Sequence, residues 1–436
     1  MKIQTLKLHN YRIFENIDLE FDPHYSLIVG VNGAGKTSIL EGTAIAIGTI
    51  LSAFTGDYKY GIEKTDAHLT YYKLGEGLDI HAQYPVSISA IGDVDGNTVN
   101  WERVKMTVNG KTRVDNATEM TDISKLYLER VQAGDSTLIL PILAYYSTDR
   151  LRGSLRNIRE SKMTLNNRTK GYADCLDGST SVKLMREWFQ KMTIQKYQRM
   201  ENGYHEQPEL QAVYTAMEDC LTLFSGYRDT KIQFNLDASD LEVYYLDQDN
   251  CRKAMLLSLL SDGFKEIISI VGDIAYRMAV LNPQLQKDIL QETDGIVLID
   301  EVDLHLHPAW QQKIMKTLTT IFPKVQFIVT THAPAVINSV DRDHLIILRD
   351  GIPTSASSQT YGKDVNSVLK EIMGAEERPY EVSELFDQFY ELLNKKKYDS
   401  AGEILDQLDL LRDFHDPEVA NCRVKLKLER IRGGQK

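Results

Sequence analysis

The chain has 436 residues, 42% hydrophobic and 26% charged, an ordinary globular composition long enough for one large core or two modest ones. A net charge of −12 excludes a surface that coats itself in nucleic acid, so any such contact has to be local. The longest apolar run, Thr43 to Phe54, is about twelve residues, against roughly twenty for a bilayer span, and Met1 to Asn10 lacks a signal-peptide core; a cytoplasmic protein with no membrane partner is expected.

Cys175, Cys220, Cys251 and Cys422 are scattered without C-x-x-C spacing, which predicts reduced structural thiols rather than a zinc site or a disulfide framework. From the start, Ile3 to Arg12 alternates apolar and polar residues as a half-buried strand does, and Ile17 to Phe21 repeats the pattern. A small antiparallel unit therefore comes first. Tyr25-Ser-Leu-Ile-Val-Gly30 then reads as a buried strand entering a glycine-rich loop, with an apolar helix from Thr37 to Phe54.

Gly30-Val-Asn32-Gly33-Ala-Gly35-Lys36-Thr37-Ser38 matches G-x-x-x-x-G-K-[ST] between that strand and that helix. Glycines there let successive backbone N–H groups turn toward phosphate oxygens, and the helix N-terminus adds positive potential. Lys36 would reach the β and γ phosphates of ATP and Thr37 would ligate Mg²⁺. Asn32, Gly33, Gly35 and Ser38 complete the expected nucleotide-binding set.

From Tyr58 to Asp122 short β-like runs alternate with turn dipeptides, Asp95-Gly96 and Asn109-Gly110, and predict hairpins. Leu138 to Tyr146 is a second buried strand. Arg152, Arg156 and Arg159 follow at i, i+4, i+7, with Arg150, Lys162, Arg168 and Lys170 nearby; this is the best DNA or RNA footprint in the chain, although a solvated basic face explains it as well. A helical region runs from about Ser181 to Tyr227. No heptad is sustained there, so the insert is compact rather than a coiled-coil arm.

The core resumes with a helix-rich segment, Lys253 to Leu281. Apolar strands at Ile296 to Ile299 and Phe327 to Val329 follow, separated by a helix from about Ala309 to Phe322. Ile296-Val-Leu-Ile-Asp300-Glu301 puts two carboxylates at the end of a fully apolar strand, where an unpaired charge is costly unless a metal or water uses it. Asp300 would hold Mg²⁺ and Glu301 would act as general base on the attacking water. His332, at the next strand end, offers an imidazole where a γ-phosphate sensor would sit.

Phosphate loop, carboxylate pair and strand-end histidine, in this order around a long insert, resemble the ABC ATPase superfamily. The resemblance implies an α/β fold: an ABC-type P-loop ATPase head with a mostly parallel sheet plus an antiparallel β subdomain. It also implies a homodimer or higher homo-oligomer in which each L-S-G-G-Q signature closes over the partner's ATP. Leu260-Ser261-Asp262-Gly263-Phe264 occupies the signature position, keeping Ser261 and Gly263 and departing at Asp262 and Phe264. Val302-Asp303-Leu-His305-Leu-His307-Pro308 resembles the D-loop of the RecF/SMC-like branch, and Arg12 corresponds to an arginine that touches nucleotide there. The Q-loop glutamine has no counterpart in Leu140 to Arg150.

Ala144 to Arg150, Gly171-Tyr-Ala-Asp-Cys-Leu176, the Leu-Ser-Asp-Gly signature and Glu377-Arg-Pro-Tyr-Glu-Val382 look like the Septu-type antiphage ATPases of the PtuA kind, including relatives attached to retrons. That resemblance implies a small HNH nuclease of the PtuB kind as partner. The expected organisation is an N-terminal lobe (1–150), a compact, mainly helical insert (151–250), a C-terminal lobe (251–375) and a helical appendix (376–436). A RecF/SMC-like repair ATPase without a nuclease, or a nucleotide-sensing scaffold with little hydrolysis, are the alternatives.

Overall fold

Alternation at the start of the chain folds as β1 (Lys2–Tyr11) against β2 (Phe14–Glu20), antiparallel from Thr5↔Glu20 to Tyr11↔Phe14, with Ile3, Leu6 and Leu8 turned inward. The computed structural model describes residues 1–55, 60–74, 77–148, 168–178, 182–201, 207–247, 249–356, 358–374, 378–410 and 416–432. It divides into two units, Met1–Val365 and Asn366–Lys436.

In the first unit β3 (Tyr25–Gly30) leads through the phosphate loop into the helix Lys36–Ile47, continued by a 3₁₀ turn at Gly48–Leu51 and a last turn at Ser52–Thr55. Lys36–Phe54 is long and apolar enough to cross a bilayer by length and composition alone, but 78% of it is buried inside the fold. It is a core helix, and it covers the expected span, Thr37 to Phe54.

Next come β4 (Leu69–Leu74) with β5 (Gly77–Ala82), then β6 (Val86–Val94) with β7 (Asn97–Lys105). The last two are joined through Asp95 and Gly96, both at positive φ, as a tight hairpin requires. β6 also pairs with β1, giving the order β2-β1-β6-β7. Asn109-Gly110 lies in a turn, Gly110 N–H donating to the Thr107 carbonyl, and the flanking chain closes on itself through a single antiparallel bridge, Val104 with Arg113. The helix Thr118–Gln132, which follows where no helix was expected, buries Met120, Ser124, Tyr127 and Val131.

β8 (Ile142–Tyr146) returns the chain to the core. Helices Val182–Glu201 and Pro208–Ser225 lie where helix was expected. The insert is not mainly helical to its end, however, because β9 (Arg228–Asn235), β10 (Asp240–Leu246) and β11 (Arg252–Leu256) form an antiparallel sheet. The helix Asp262–Leu281 is buried along most of its length.

β12 (Gly295–Ile299), β13 (Val325–Thr331), β14 (Leu345–Arg349) and β15 (Ile352–Thr354) complete a six-stranded sheet of order β15-β14-β3-β13-β12-β8. All its pairs are parallel except β14 with β15. Both faces of such a sheet are covered, which is why β12 and β13 are buried at every position. β13 lies between β3 and β12, so the loops after these three strands open at one edge, the crevice where doubly wound sheets bind ligands.

The second unit contains the helices Tyr380–Asn394, Tyr398–Leu410 and Pro417–Arg432. Phe386, Phe389, Leu405, Leu408 and Leu426 are among its core residues, and Leu385, Leu392 and Ile404 pack at the margin. Arg378 clamps Asp416 bidentately (2.7 and 3.2 Å), pairs with Glu418 (2.9 Å) and lies over the Phe386 ring.

Candidate nucleotide site

The phosphate loop is shaped by three glycines for three different reasons. Gly33 (φ 80°) has open space around it, so only its left-handed backbone calls for glycine. Gly35 (φ 93°) caps the helix, and a Cβ there would lie 2.4 Å from the Phe14 ring. At Gly30 a Cβ would meet the Leu348 carbonyl of β14 at 2.8 Å.

Lys36 Nζ lies within the loop, donating to the carbonyls of Gly30 (2.9 Å) and Val31 (3.1 Å). Burial pushes its pKa down while Asp300, Glu301 and Asp303 hold it up. Asn32 and Thr37 are exposed, and Ser38 is buried beneath the loop.

Thr37 Oγ1 donates to one carboxylate oxygen of Asp300 at 2.8 Å, bringing together residues from opposite ends of the unit. The other oxygen accepts from Thr330 Oγ1 at 2.6 Å, and that hydroxyl in turn accepts the Glu301 N–H at 2.8 Å. Asp300 N–H donates to the Tyr146 carbonyl of β8 (2.8 Å). One threonine thus orients both members of the carboxylate pair, and Glu301 itself is held at φ 48°, a costly backbone for glutamate. Sequence reasoning missed Thr330, whose only signal is its place two residues before His332. The hydroxyl of Thr37 and the carboxylate of Asp300 are hard oxygen donors that suit Mg²⁺.

His332 is half-buried; burial and then the charge of Lys36 lower its pKa, against the pull of Glu301, Asp303 and Asp300. Thr331 Oγ1 donates to Asp303 and accepts from Ala333 N–H, fixing the turn that carries His332. Of the two D-loop histidines, His307 caps the short helix Pro308–Gln311 through Nδ1, and His305 sits at φ 60° with its carbonyl against Gly263. Among the described residues no group of three or more His, Cys, Asp or Glu is placed to hold a metal.

Ser261 opens the helix Asp262–Leu281 with its side chain exposed and making no capping bond. Among the described residues no hydrogen bond or ion pair joins Ser261 or Gly263 to the phosphate loop. Arg12 (φ 53°) pairs with Glu41 and with Asp66 (2.9 Å), which sets it beside the first turns of the phosphate-loop helix.

On β8, where the Q-loop glutamine has no counterpart, Tyr146 OH donates to Asp273 (2.8 Å), and burial beside that carboxylate pushes the phenol well above its ordinary pKa. Arg277 Nε donates to the same oxygen (2.8 Å), and its Nη1 donates to the carbonyls of Gly171 and Ala173 (both 2.9 Å). Arg152, Arg156 and Arg159 lie outside the described residues. Arg168 is no part of a nucleic-acid face: its guanidinium donates to the carbonyls of Leu281 (2.8 Å), Asp135 (3.0 Å) and Leu138 (2.7 Å).

Residues 5–221 match a family described as an AAA domain, and residues 189–338 match one described as an AAA domain, putative AbiEii toxin, type IV TA system. The retron Ec83 probable ATPase of Escherichia coli is 24% identical over 489 residues, covering 98% of this chain and 86% of that protein. The Septu protein PtuA of Bacillus mycoides (strain KBAB4) is 24% identical over 438 residues, 93% of this chain and 50% of its own. An SMC head domain from Thermotoga maritima aligns with a TM-score of 0.42 at 15% identity, over 81% of this chain and 98% of that one.

Proposed function

We propose that this chain, an ABC/SMC-like P-loop ATPase similar over most of its length to retron and Septu ATPases, hydrolyses ATP in composite sites between two copies of itself as part of an antiphage defence system. The observation that carries the reading is the hydrogen-bonded series Thr37–Asp300–Thr330–Glu301 beside Lys36. Thr37 and Asp300 would hold Mg²⁺, which supplies charge neutralisation for the transferred phosphoryl group.

Lys36 leaves its two carbonyl partners for phosphate oxygens, and the N–H groups of residues 33 to 38 cradle the same charge. Glu301 accepts a proton from the attacking water, and a neutral His332 donates to the γ-phosphate. Ser261 and Gly263 act in trans on the second copy's nucleotide, a reading supported by the exposed Ser261 side chain, which makes no capping bond in its own chain. Arg12 reaches the same nucleotide when Glu41 and Asp66 release it. The setting is the cytoplasm, and the partner implied by the Septu resemblance is a small HNH nuclease acting on nucleic acid, docked on the helices of the second unit and gated by nucleotide state.

The test is ATP turnover and oligomeric mass for wild type and Glu301→Gln, with and without DNA. Loss of about 100-fold or more in kcat for Glu301→Gln, with a dimer held by ATP, is expected. Equal and negligible turnover in both proteins would leave a nucleotide-sensing scaffold, a reading that Asp262 and Phe264 favour. Stimulation by DNA alone, with no effect of an added HNH nuclease, would leave a repair ATPase.

A further inference from the structure

Three aromatic rings from three segments meet beside the D-loop. Trp310, in the short helix Pro308–Gln311, has its ring 4.1 Å from that of Phe264 on the first turn of the helix Asp262–Leu281, inclined at 58°. The Phe224 ring, at the end of the helix Pro208–Ser225, also stands against Trp310, 6.1 Å away and edge-on. Lys313 Nζ adds a polar tie, donating to the carbonyls of Leu223 (3.2 Å) and Phe224 (3.5 Å) at that helix's C-terminal end, where a cation is favoured.

Beneath the rings the two backbones touch. A Cβ at residue 263 would lie 2.5 Å from the His305 carbonyl oxygen and 3.7 Å from the Trp310 ring. Gly263 is therefore demanded by packing against the D-loop, independently of any ligand. Residue 264 is aromatic where the L-S-G-G-Q pattern has glutamine. That departure is matched within the same chain by the ring it packs on.

We infer that Phe264 and Trp310 are positioning residues that clamp the signature turn to the D-loop, so that Ser261 and Asp303 are presented as one body; the inference rests on the ATPase reading above. The signature turn needs such a hold. Leu259, Ser261 and Asp262 are exposed, and Ser261 makes no capping bond. At the other end of the clamped body Asp303 is bonded by Thr331, the neighbour of His332, so a shift of the clamp reaches the end of β13.

The experiment compares Phe264→Gln, Phe264→Tyr, Trp310→Ala and the double variant Phe264→Gln/Trp310→Ala in the full chain, reading kcat, KM and melting temperature. Phe264→Gln and Trp310→Ala should each lower kcat about tenfold with KM for ATP changed less than about twofold, the double variant should be no slower than either, and Phe264→Tyr should retain activity. Wild-type or faster turnover in Phe264→Gln, or multiplying effects in the double variant, would overturn the clamp.

If wild type and Glu301→Gln are equally inactive, the ATPase reading has failed, and a second readout judges the clamp as a nucleotide-linked device. In chain labelled with 5-fluorotryptophan, with the Trp310 resonance assigned by Trp310→Phe, Mg²⁺-ATP should shift that signal in wild type and not in Phe264→Gln. The same response in both would end the proposal.

Discussion

Thr330 contributes one hydroxyl that donates to Asp300 and accepts from the Glu301 backbone, inside a strand buried at every position. Valine has the same shape and neither capacity. Thr330→Val is expected to cost about 1–3 kcal/mol in stability, because it strands a buried carboxylate oxygen and an N–H, and to reduce kcat more than KM, with Thr330→Ser restoring both. Denaturant melts and steady-state kinetics check this.

His332 supplies a pH dependence of defined sign. Burial and Lys36 lower its pKa below the ordinary 6.5, so the unfolded chain takes up the proton more readily than the folded one. Its contribution to stability is present above 6.5 and is lost as pH falls through the lowered value. Turnover limited by the neutral imidazole should be level from neutral pH upward and fall on acidification, an acid limb that His332→Gln should remove along with most of the activity.

At the scale of elements, the helix Asp262–Leu281 is pinned to β8 by a buried network of Tyr146, Asp273 and Arg277. Tyr146→Phe removes one donor from Asp273 and leaves Arg277 in place. A loss of about 1–3 kcal/mol is expected, with ATP affinity unchanged. Calorimetry with and without nucleotide separates the two effects.

Several elements were legible from period alone: the opening hairpin, the strands that became β3, β8, β12 and β13, and the helical character of the insert from about Ser181 to Tyr227, which the structure divides into two helices. β9 and β10 were not anticipated, although Ile232 and Phe234, and Leu241 and Val243, are buried alternately. Such short alternations between helical stretches are weak signals. The helix Thr118–Gln132 buries Met120, Ser124, Tyr127 and Val131 at helical spacing, but with a serine among them its apolar stripe is broken in the sequence. Ser124 is buried because its hydroxyl bonds the Ile50 carbonyl, a partner no local window contains.

For the whole molecule, the second unit has its own core, and Phe389 is fully buried in it. Phe389→Ala is expected to destabilise that unit by about 3–5 kcal/mol. Hydrogen exchange should show lost protection across residues 380–432 while residues 30–47 keep theirs; loss in both would mean that the two units unfold together.

What the sequence by itself determined is the local part of the site: a loop whose glycines adopt positive φ between a buried strand and a helix, two carboxylates leaving an apolar strand, and a histidine leaving the next. Each is a backbone conformation or a strand end, written in consecutive residues. Tertiary structure alone decided what holds them. Thr37 meets Asp300 across 263 positions, Arg168 caps the end of a helix instead of facing nucleic acid, and Arg12 is paired with Glu41 and Asp66. It also decided that Phe264 packs against Trp310 and that Gly263 yields space to a carbonyl. Such pairings are set by which strands lie side by side and how closely backbones approach, and no residue pattern along the chain records either.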